Sequence, residues 1–271
     1  MNYISGRNNL ACTIFVPFKC GNNCPFCTSK QMYENYTFDI SYLEKIINWI
    51  TTINKNKYVS EFVITGGEPF FNLSVLKILI NHMEKNVFIN TTFPKLKNTD
   101  EIIDYINTEN KIKGINISRH INVNYNVKIS DKETLDKIKK TVRINCILKD
   151  EFTEQQVFDF INYWCSDFRM VNFRADYRNI NTDTLKNRDK WTNFFLNNFT
   201  WEYTNNCLVC NSEVYTDDVS KVISYHRGLE QSSVTCGERC YVNDIIIDIY
   251  GNIFKDWDLK EDKEFINKFI N

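Results

Sequence analysis

The chain has almost no net charge: 33 Lys and Arg stand against 34 Asp and Glu, a formal −1 over 271 residues. That balance leaves no basic excess to hold a nucleic-acid backbone over a wide face. It also lacks any run of about 18 apolar residues, the length a membrane-spanning helix needs. The opening MNYISGRNNLACTIF lacks the charged, apolar and small-residue order of a signal peptide. These absences argue against a membrane partner and against broad nucleic-acid binding, and they make the cytoplasm the expected compartment. Glycine and proline are scarce, at 8 and 4, but alongside the richness in Asn, Lys and Ile this reads as compositional bias of an AT-rich genome, not as a structural signal. No internal repeat or low-complexity linker interrupts the chain.

What is present is the composition of a packed globular protein, with 43% hydrophobic residues and 14% aromatics. Ten cysteines in a reducing compartment read as thiols and metal ligands rather than disulfides. Apolar runs of strand length alternate with amphipathic runs of helix length, the pattern of βα units around a mostly parallel sheet. Strands are expected at Leu10 to Val16, Phe62 to Thr65, Val87 to Thr91, Gly114 to Ser118, Val142 to Leu148 and Phe168 to Arg174. Helices are expected between them, with capping boxes at Ser41 and Glu44, Ser130 and Glu133, and Thr153 and Gln156. Six βα units are too few for the closed eight-fold barrel but enough for an open one. The expected fold class is therefore α/β, a partial (β/α)6 TIM-like barrel over 1–199, followed by a C-terminal antiparallel β extension over 200–271. In that extension Tyr250, Gly251 and Asn252 mark a turn between two strands.

Cys20, Cys24 and Cys27 are spaced Cys-x-x-x-Cys-x-x-Cys, in a loop that Gly21, Asn22, Asn23 and Pro25 keep out of helix. Three thiolates this close can face one metal centre, whereas a cubane cluster with all-cysteine ligation uses four. One iron would be left open, and an open iron is where a small molecule chelates. The alternative is a zinc knuckle that draws a fourth ligand from Cys12 or a distant histidine, but tetrahedral zinc usually takes its ligands as two pairs. A second motif, Gly66-Gly67-Glu68-Pro69, follows the strand at Phe62 to Thr65. Its glycines let backbone groups approach a ligand closely and its proline fixes the exit from the turn. Standing one βα unit after the cysteine loop, it falls at the same C-terminal edge of a parallel sheet, where ligands bind in such folds.

On these two motifs the chain resembles the radical S-adenosylmethionine (radical SAM) enzyme superfamily over about Leu10 to Arg174. The resemblance implies a [4Fe-4S] cluster on Cys20, Cys24 and Cys27, with S-adenosylmethionine chelating the open iron through its amino and carboxylate groups. It implies cleavage of that cofactor to a 5'-deoxyadenosyl radical that abstracts hydrogen from a substrate, and an electron donor such as flavodoxin or ferredoxin. By resemblance Phe26 packs near the adenine, and Gly66, Gly67 and Glu68 receive the methionine amino group. Ser118 stands where family members often place a contact to the ribose or carboxylate, with Arg119 and His120 beside it. Arg143, Asn145 and Arg174 are candidates for gripping the carboxylate, because arginine binds carboxylates through paired hydrogen bonds; a buried Arg on a structural Asp is the alternative.

Cys207, Cys210, Cys236 and Cys240 form two further pairs in the extension. They fit a four-thiolate site, either zinc or an auxiliary iron-sulfur cluster, or are free thiols. Cys12, Cys146 and Cys165 read as core residues. Trp201, Tyr203, Tyr215, Tyr225, Tyr241 and Trp257 either wall a pocket or form core, and His226 and Arg227 either touch substrate or lie in a turn. The cysteine-bearing extension favours a ribosomal peptide as substrate, with a nucleotide or other small metabolite next. No peptide-clasping winged helix is legible before Leu10. A non-enzymatic metal-binding interaction protein is the reading from a different class.

Overall fold

The computed structural model describes residues 1–6, 10–27, 29–165, 169–176, 190–204, 212–217, 221–226 and 233–270. The chain forms two compact units: residues 1–115, 125–140 and 231–271, and residues 116–124 and 141–230.

In the first unit, β2 (Leu10–Val16) pairs in parallel with β3 (Val59–Gly66), and β3 with β4 (Asn86–Thr91). β5 (Ile112–Ser118) follows β4 in the strand order, its residues 112–115 counted in this unit and 116–118 in the second. Every residue of β2 is buried, as a central parallel strand covered on both faces requires. The helices α1 (Lys30–Tyr33), α2 (Ile40–Lys55), α3 (Leu73–His82) and α4 (Thr99–Thr108) fill the intervals. Leu43, Ile46, Ile50 and Ile53 of α2 recur at helical spacing and are all buried. Asp39, not Ser41, caps α2, accepting from the Ser41 amide at 2.8 Å. Asp131, not Ser130, caps α5 (Lys132–Asp136) in the same way through Thr134. Asp accepts as well as Ser at that position; Asp39 stands two residues before the expected cap and Asp131 one residue after it.

The second unit carries β6 (Thr141–Leu148), α6 (Glu154–Trp164), β7 (Arg169–Ala175) and α7 (Lys190–Asn198). The Thr153 and Gln156 capping box forms as expected. β6 and β7 are parallel, and β10 (Val222–His226) adds a further parallel strand beside β7. β9 (Glu213–Thr216) and β8 (Thr200–Thr204) then continue antiparallel.

Residues 200–271 thus contribute to both units. β11 (Ser233–Cys236), β12 (Arg239–Val242), β13 (Asp244–Ile247) and β14 (Ile253–Phe254) belong to the first. The antiparallel pair expected about the Tyr250–Asn252 turn is present as β13 with β14, and β11 also pairs antiparallel with β12. Two of these strands also take a parallel partner, β12 with β1 (Asn2–Ser5) and β13 with β2. The turn at Tyr250 to Asn252 is held by Asp248, whose carboxylate accepts from the Tyr250 and Asn252 amides at 2.9 and 2.8 Å. In neither unit do the strands close on themselves, so the α/β sheet is open and is not a closed barrel. Among the described residues no helix is long and apolar enough to cross a membrane.

Candidate cofactor site

The cysteine loop leaves the C-terminal end of β2 and the Gly66-Gly67-Glu68-Pro69 turn leaves the C-terminal end of β3, with Val16 directly beside Gly66 in the register. Gly66 has φ of +111°, a region that glycine enters readily and other residues rarely. Gly67 is the closest approach: a Cβ there would lie 1.9 Å from the Phe18 carbonyl oxygen and 3.0 Å from the Cys20 nitrogen. Only a glycine lets the turn lie against the cysteine loop. Gly67→Ala is accordingly expected to push the loop off the turn and to cut iron loading by at least about tenfold, a loss of about 1.4 kcal/mol or more in ligand placement. Iron analysis after anaerobic reconstitution checks this.

Tyr33 of α1 fastens the same corner. Its hydroxyl donates to the Val16 carbonyl at 2.8 Å and accepts from the Gly67 amide at 2.9 Å. Burial pushes the phenol up, so it stays a neutral donor.

Two of the three thiols, Cys20 and Cys24, hold their protons more tightly than a free thiol does. Burial pushes the Cys24 thiol up to about 11, with Cys27 and Cys20 adding to it. Burial also raises Cys20, as do Glu68 and Cys27, while the Asn22 amide opposes it through a 3.4 Å hydrogen bond to Sγ. The Cys27 Sγ lies 3.5 Å from Ser29 Oγ, and the Cys27 amide donates to the Cys24 carbonyl at 3.2 Å. Among the described residues no three His, Cys, Asp or Glu side chains converge tightly enough to hold a single metal ion. A cubane takes one thiolate on each of three irons, which asks for wider spacing than one ion does. Three soft thiols on one loop, Cys20 and Cys24 half-buried and Cys27 exposed, fit the iron corners of such a cluster.

Glu68 is fully buried, yet its carboxylate is saturated. One oxygen accepts from Thr91 Oγ1 at 2.5 Å and from the Phe70 amide at 3.3 Å. The other accepts from the Thr92 amide at 2.8 Å and Thr92 Oγ1 at 2.7 Å. Burial raises its carboxyl above the usual carboxylate range, against the pull of those four donors. The side chain binds the end of β3 to the end of β4. Phe26, between Pro25 and Cys27, is buried.

The remaining sequence candidates lie in the second unit. Arg143, Asn145 and Ile147 alternate onto one face of β6, and the register sets them beside Met170, Asn172 and Arg174 of β7. Ser224 and His226 of β10 continue the row beside Asn172 and Arg174. Arg143 Nε donates to Met170 Sδ at 3.2 Å. Asn172 Nδ2 donates to Asn145 Oδ1 at 2.9 Å, and Ser224 Oγ donates to Asn172 Oδ1 at 2.7 Å. This polar row through the middle of the unit includes Asn172 and Ser224, which sequence reasoning passed over. Their signal was a lone polar residue within an apolar run. Ser118 ends β5, and its carbonyl accepts from the Arg119 guanidinium at 2.9 Å. The guanidinium lies over the Trp164 ring at 5.5 Å. His120 Nδ1 accepts from the Ile147 amide at 3.1 Å, and burial with Arg119 nearby brings its pKa down to about 3, so the ring is neutral.

Of the later cysteines, Cys207 and Cys210 lie outside the described residues, as does Arg227. Cys236 pairs across the β11–β12 hairpin with Arg239, the neighbour of Cys240. Alternation therefore sets Cys236 and Cys240 on opposite faces, one exposed and one buried. That hairpin does not preorganise the two for one metal. Cys12, Cys146 and Cys165 are buried, as expected. Tyr215 and Tyr225 pack on Phe195 as core, whereas Trp201 and Tyr203 on β8 are 50% and 56% exposed.

Comparison with known proteins bears on the same region. Two solved structures of Streptococcus suis SuiB, one bound to S-adenosylmethionine, are 12% identical, cover 91% of this chain and align with a TM-score of 0.58. They share the fold. The chain spans 60% of the length of SuiB. The AdoMet-bound anSMEcpe structure covers 62% of this chain at 16% identity and a TM-score of 0.45. No curated protein sequence matches. The Radical SAM superfamily model matches residues 14–149, half of the chain, and takes in both the cysteine loop and the glycine turn. With that match over those motifs, the chain belongs to the radical SAM superfamily of enzymes.

Proposed function

We propose that Cys20, Cys24 and Cys27 hold a [4Fe-4S] cluster whose open iron takes S-adenosylmethionine, and that the substrate is a ribosomal peptide. When bound, the cluster supplies one electron that cleaves the cofactor to methionine and a 5'-deoxyadenosyl radical, which abstracts a hydrogen atom from the substrate. The observation that carries this reading is the packing of Gly67 against the Cys20 backbone, which sets the two motifs side by side at one sheet edge. Because four donors already engage the Glu68 carboxylate, the amino group is received by backbone carbonyls of Gly66 and Gly67, with Glu68 holding the turn in shape. Phe26 packs near the adenine, and Ser118, Arg143, Asn145 and Arg174 are assigned to the ribose and carboxylate. Flavodoxin or ferredoxin is the electron donor, in a cytoplasm that keeps the thiols reduced.

The peptide reading is supported by β8, an edge strand that pairs among the described residues on one side only and exposes Trp201 and Tyr203. Extended peptides add to such edges through main-chain hydrogen bonds. Protein reconstituted anaerobically with iron and sulfide, reduced with dithionite and given S-adenosylmethionine should release 5'-deoxyadenosine. A precursor peptide encoded beside the gene should raise that yield and change mass. A loaded cluster that releases none would count against the radical chemistry. A yield raised by nucleosides but not by the peptide would move the substrate to small metabolites.

A further inference from the structure

We propose that Thr92 is a positioning residue that ties the cysteine loop to the Gly66–Pro69 turn, so that the first iron-ligating thiol and the cofactor-facing turn are held as one piece. The inference rests on the assignment of Cys20, Cys24 and Cys27 as iron ligands. Thr92 directly follows β4, a strand that supplies neither motif. Both its amide and its hydroxyl donate to the same Glu68 oxygen, at 2.8 and 2.7 Å. A hydroxyl has one proton, and here it is engaged by the carboxylate, so toward any further partner it acts as acceptor. Asn22 meets that need: its Nδ2 donates to Thr92 Oγ1 at 3.3 Å.

The Asn22 amide cannot turn around to make some other bond. Its Oδ1 accepts from the Val127 amide at 3.2 Å, which fixes Nδ2 toward Thr92. The same residue's backbone amide lies on Cys20 Sγ at 3.4 Å. The chain of contacts runs without a break from the Glu68 carboxylate through the Thr92 hydroxyl and the Asn22 side chain to the first cysteine. Each donor and acceptor has its direction set by the next. Gly21 closes the arrangement sterically, since a Cβ there would lie 2.6 Å from Val127 and 3.3 Å from Phe71.

Hydrogen bonds to cluster sulfurs tune a cluster's potential, and supporting contacts around ligands tune affinity. Removing the Thr92 hydroxyl should therefore register in the cluster's spectroscopic and redox behaviour as well as in turnover. The test uses the full chain, reconstituted anaerobically. Thr92→Val keeps the shape and the amide but removes the hydroxyl. It is expected to load iron close to wild-type content, to bind S-adenosylmethionine about tenfold more weakly, and to show a smaller change in the reduced cluster's paramagnetic resonance spectrum when S-adenosylmethionine is added. Thr92→Ser should restore both. Asn22→Ala should reproduce the Val phenotype, and the double variant should be no worse than either single one, because all three remove the same link.

A loaded Thr92→Val protein with wild-type affinity and spectrum would overturn the inference alone. So would a Ser variant as impaired as Val, or additive losses in the double variant. A wild-type protein that loads no cluster would overturn the ligand assignment and this inference with it. Should Thr92→Val fail to fold, Asn22→Ala in the half-exposed loop carries the same test, and a wild-type affinity and spectrum there would sink the idea.

Discussion

Replacing Cys24 with Ala is expected to remove the cluster's visible absorbance and to bring 5'-deoxyadenosine release below detection, while leaving the unfolding midpoint of the iron-free protein nearly unchanged. Cys24 is the middle of three thiols on one loop, and three is the smallest number that holds a cubane with a single vacant iron. Losing one leaves two, with neither a nearby histidine nor a fourth cysteine in the loop to substitute. The fold has little at stake, because the side chain is half-buried in a loop and forms no part of the buried core. Iron and sulfide analysis, the visible spectrum and product chromatography on one preparation would check the first two parts, and thermal unfolding of the iron-free protein the third. A Cys24→Ala protein that still cleaves S-adenosylmethionine would remove this thiol from the ligand set.

Glu68→Ala is expected to have the largest effect on stability, on the order of 3 to 5 kcal/mol, since it strands donors that now share one buried carboxylate. Four are involved: Thr91 Oγ1, the Thr92 amide and hydroxyl, and the Phe70 amide. Some would relax toward water at the half-exposed Thr92, so the sum falls short of four independent losses. Urea unfolding of the iron-free protein measures this, and a loss under about 1 kcal/mol would mean the network is replaceable. The sign of the pH dependence follows from the raised carboxyl. The folded state holds its proton more tightly than the unfolded chain does, so this group's contribution is present below the ordinary carboxylate value and is lost as pH rises through the raised one. Glu68→Gln should flatten that slope. It should also destabilise, because its amide NH2 would face a donor.

Much of this protein was legible in one dimension. The six strands β2 to β7 fall where apolar runs of strand length stand, and the Thr153 capping box forms residue for residue. Two other caps were misplaced by one or two residues, from Ser41 to Asp39 and from Ser130 to Asp131, because Ser and Asp compete for the same role and local spacing does not rank them. Of the strands in the last 70 or so residues, several were legible as short alternating runs, and the β13–β14 hairpin from its Tyr250–Asn252 turn. Their further parallel partners were not, since β12 joins β1 and β13 joins β2 across more than 230 residues of sequence. No local pattern encodes a pairing at that distance.

Within the site the division is similar. Cys20, Cys24 and Cys27 and the Gly66–Pro69 turn are visible in the sequence because their chemistry depends on spacing and on residue type. Thr92, Asn22 and Tyr33 carry no such mark. A threonine after a strand, an asparagine in a loop and a tyrosine in a short helix are ordinary until the chain brings each within hydrogen-bond distance of a motif atom. The sequence by itself determined the superfamily, through the spacing of two motifs, and the succession of strands that carry them, through local periodicity. Tertiary structure alone decided that Glu68 is spent on holding β4, and that Gly67 must be glycine because of the Phe18 carbonyl. It alone set Cys236 and Cys240 on opposite faces of their hairpin. Hydrogen bonds and steric exclusion act over a few ångströms, and only folding sets which distant residues lie that close.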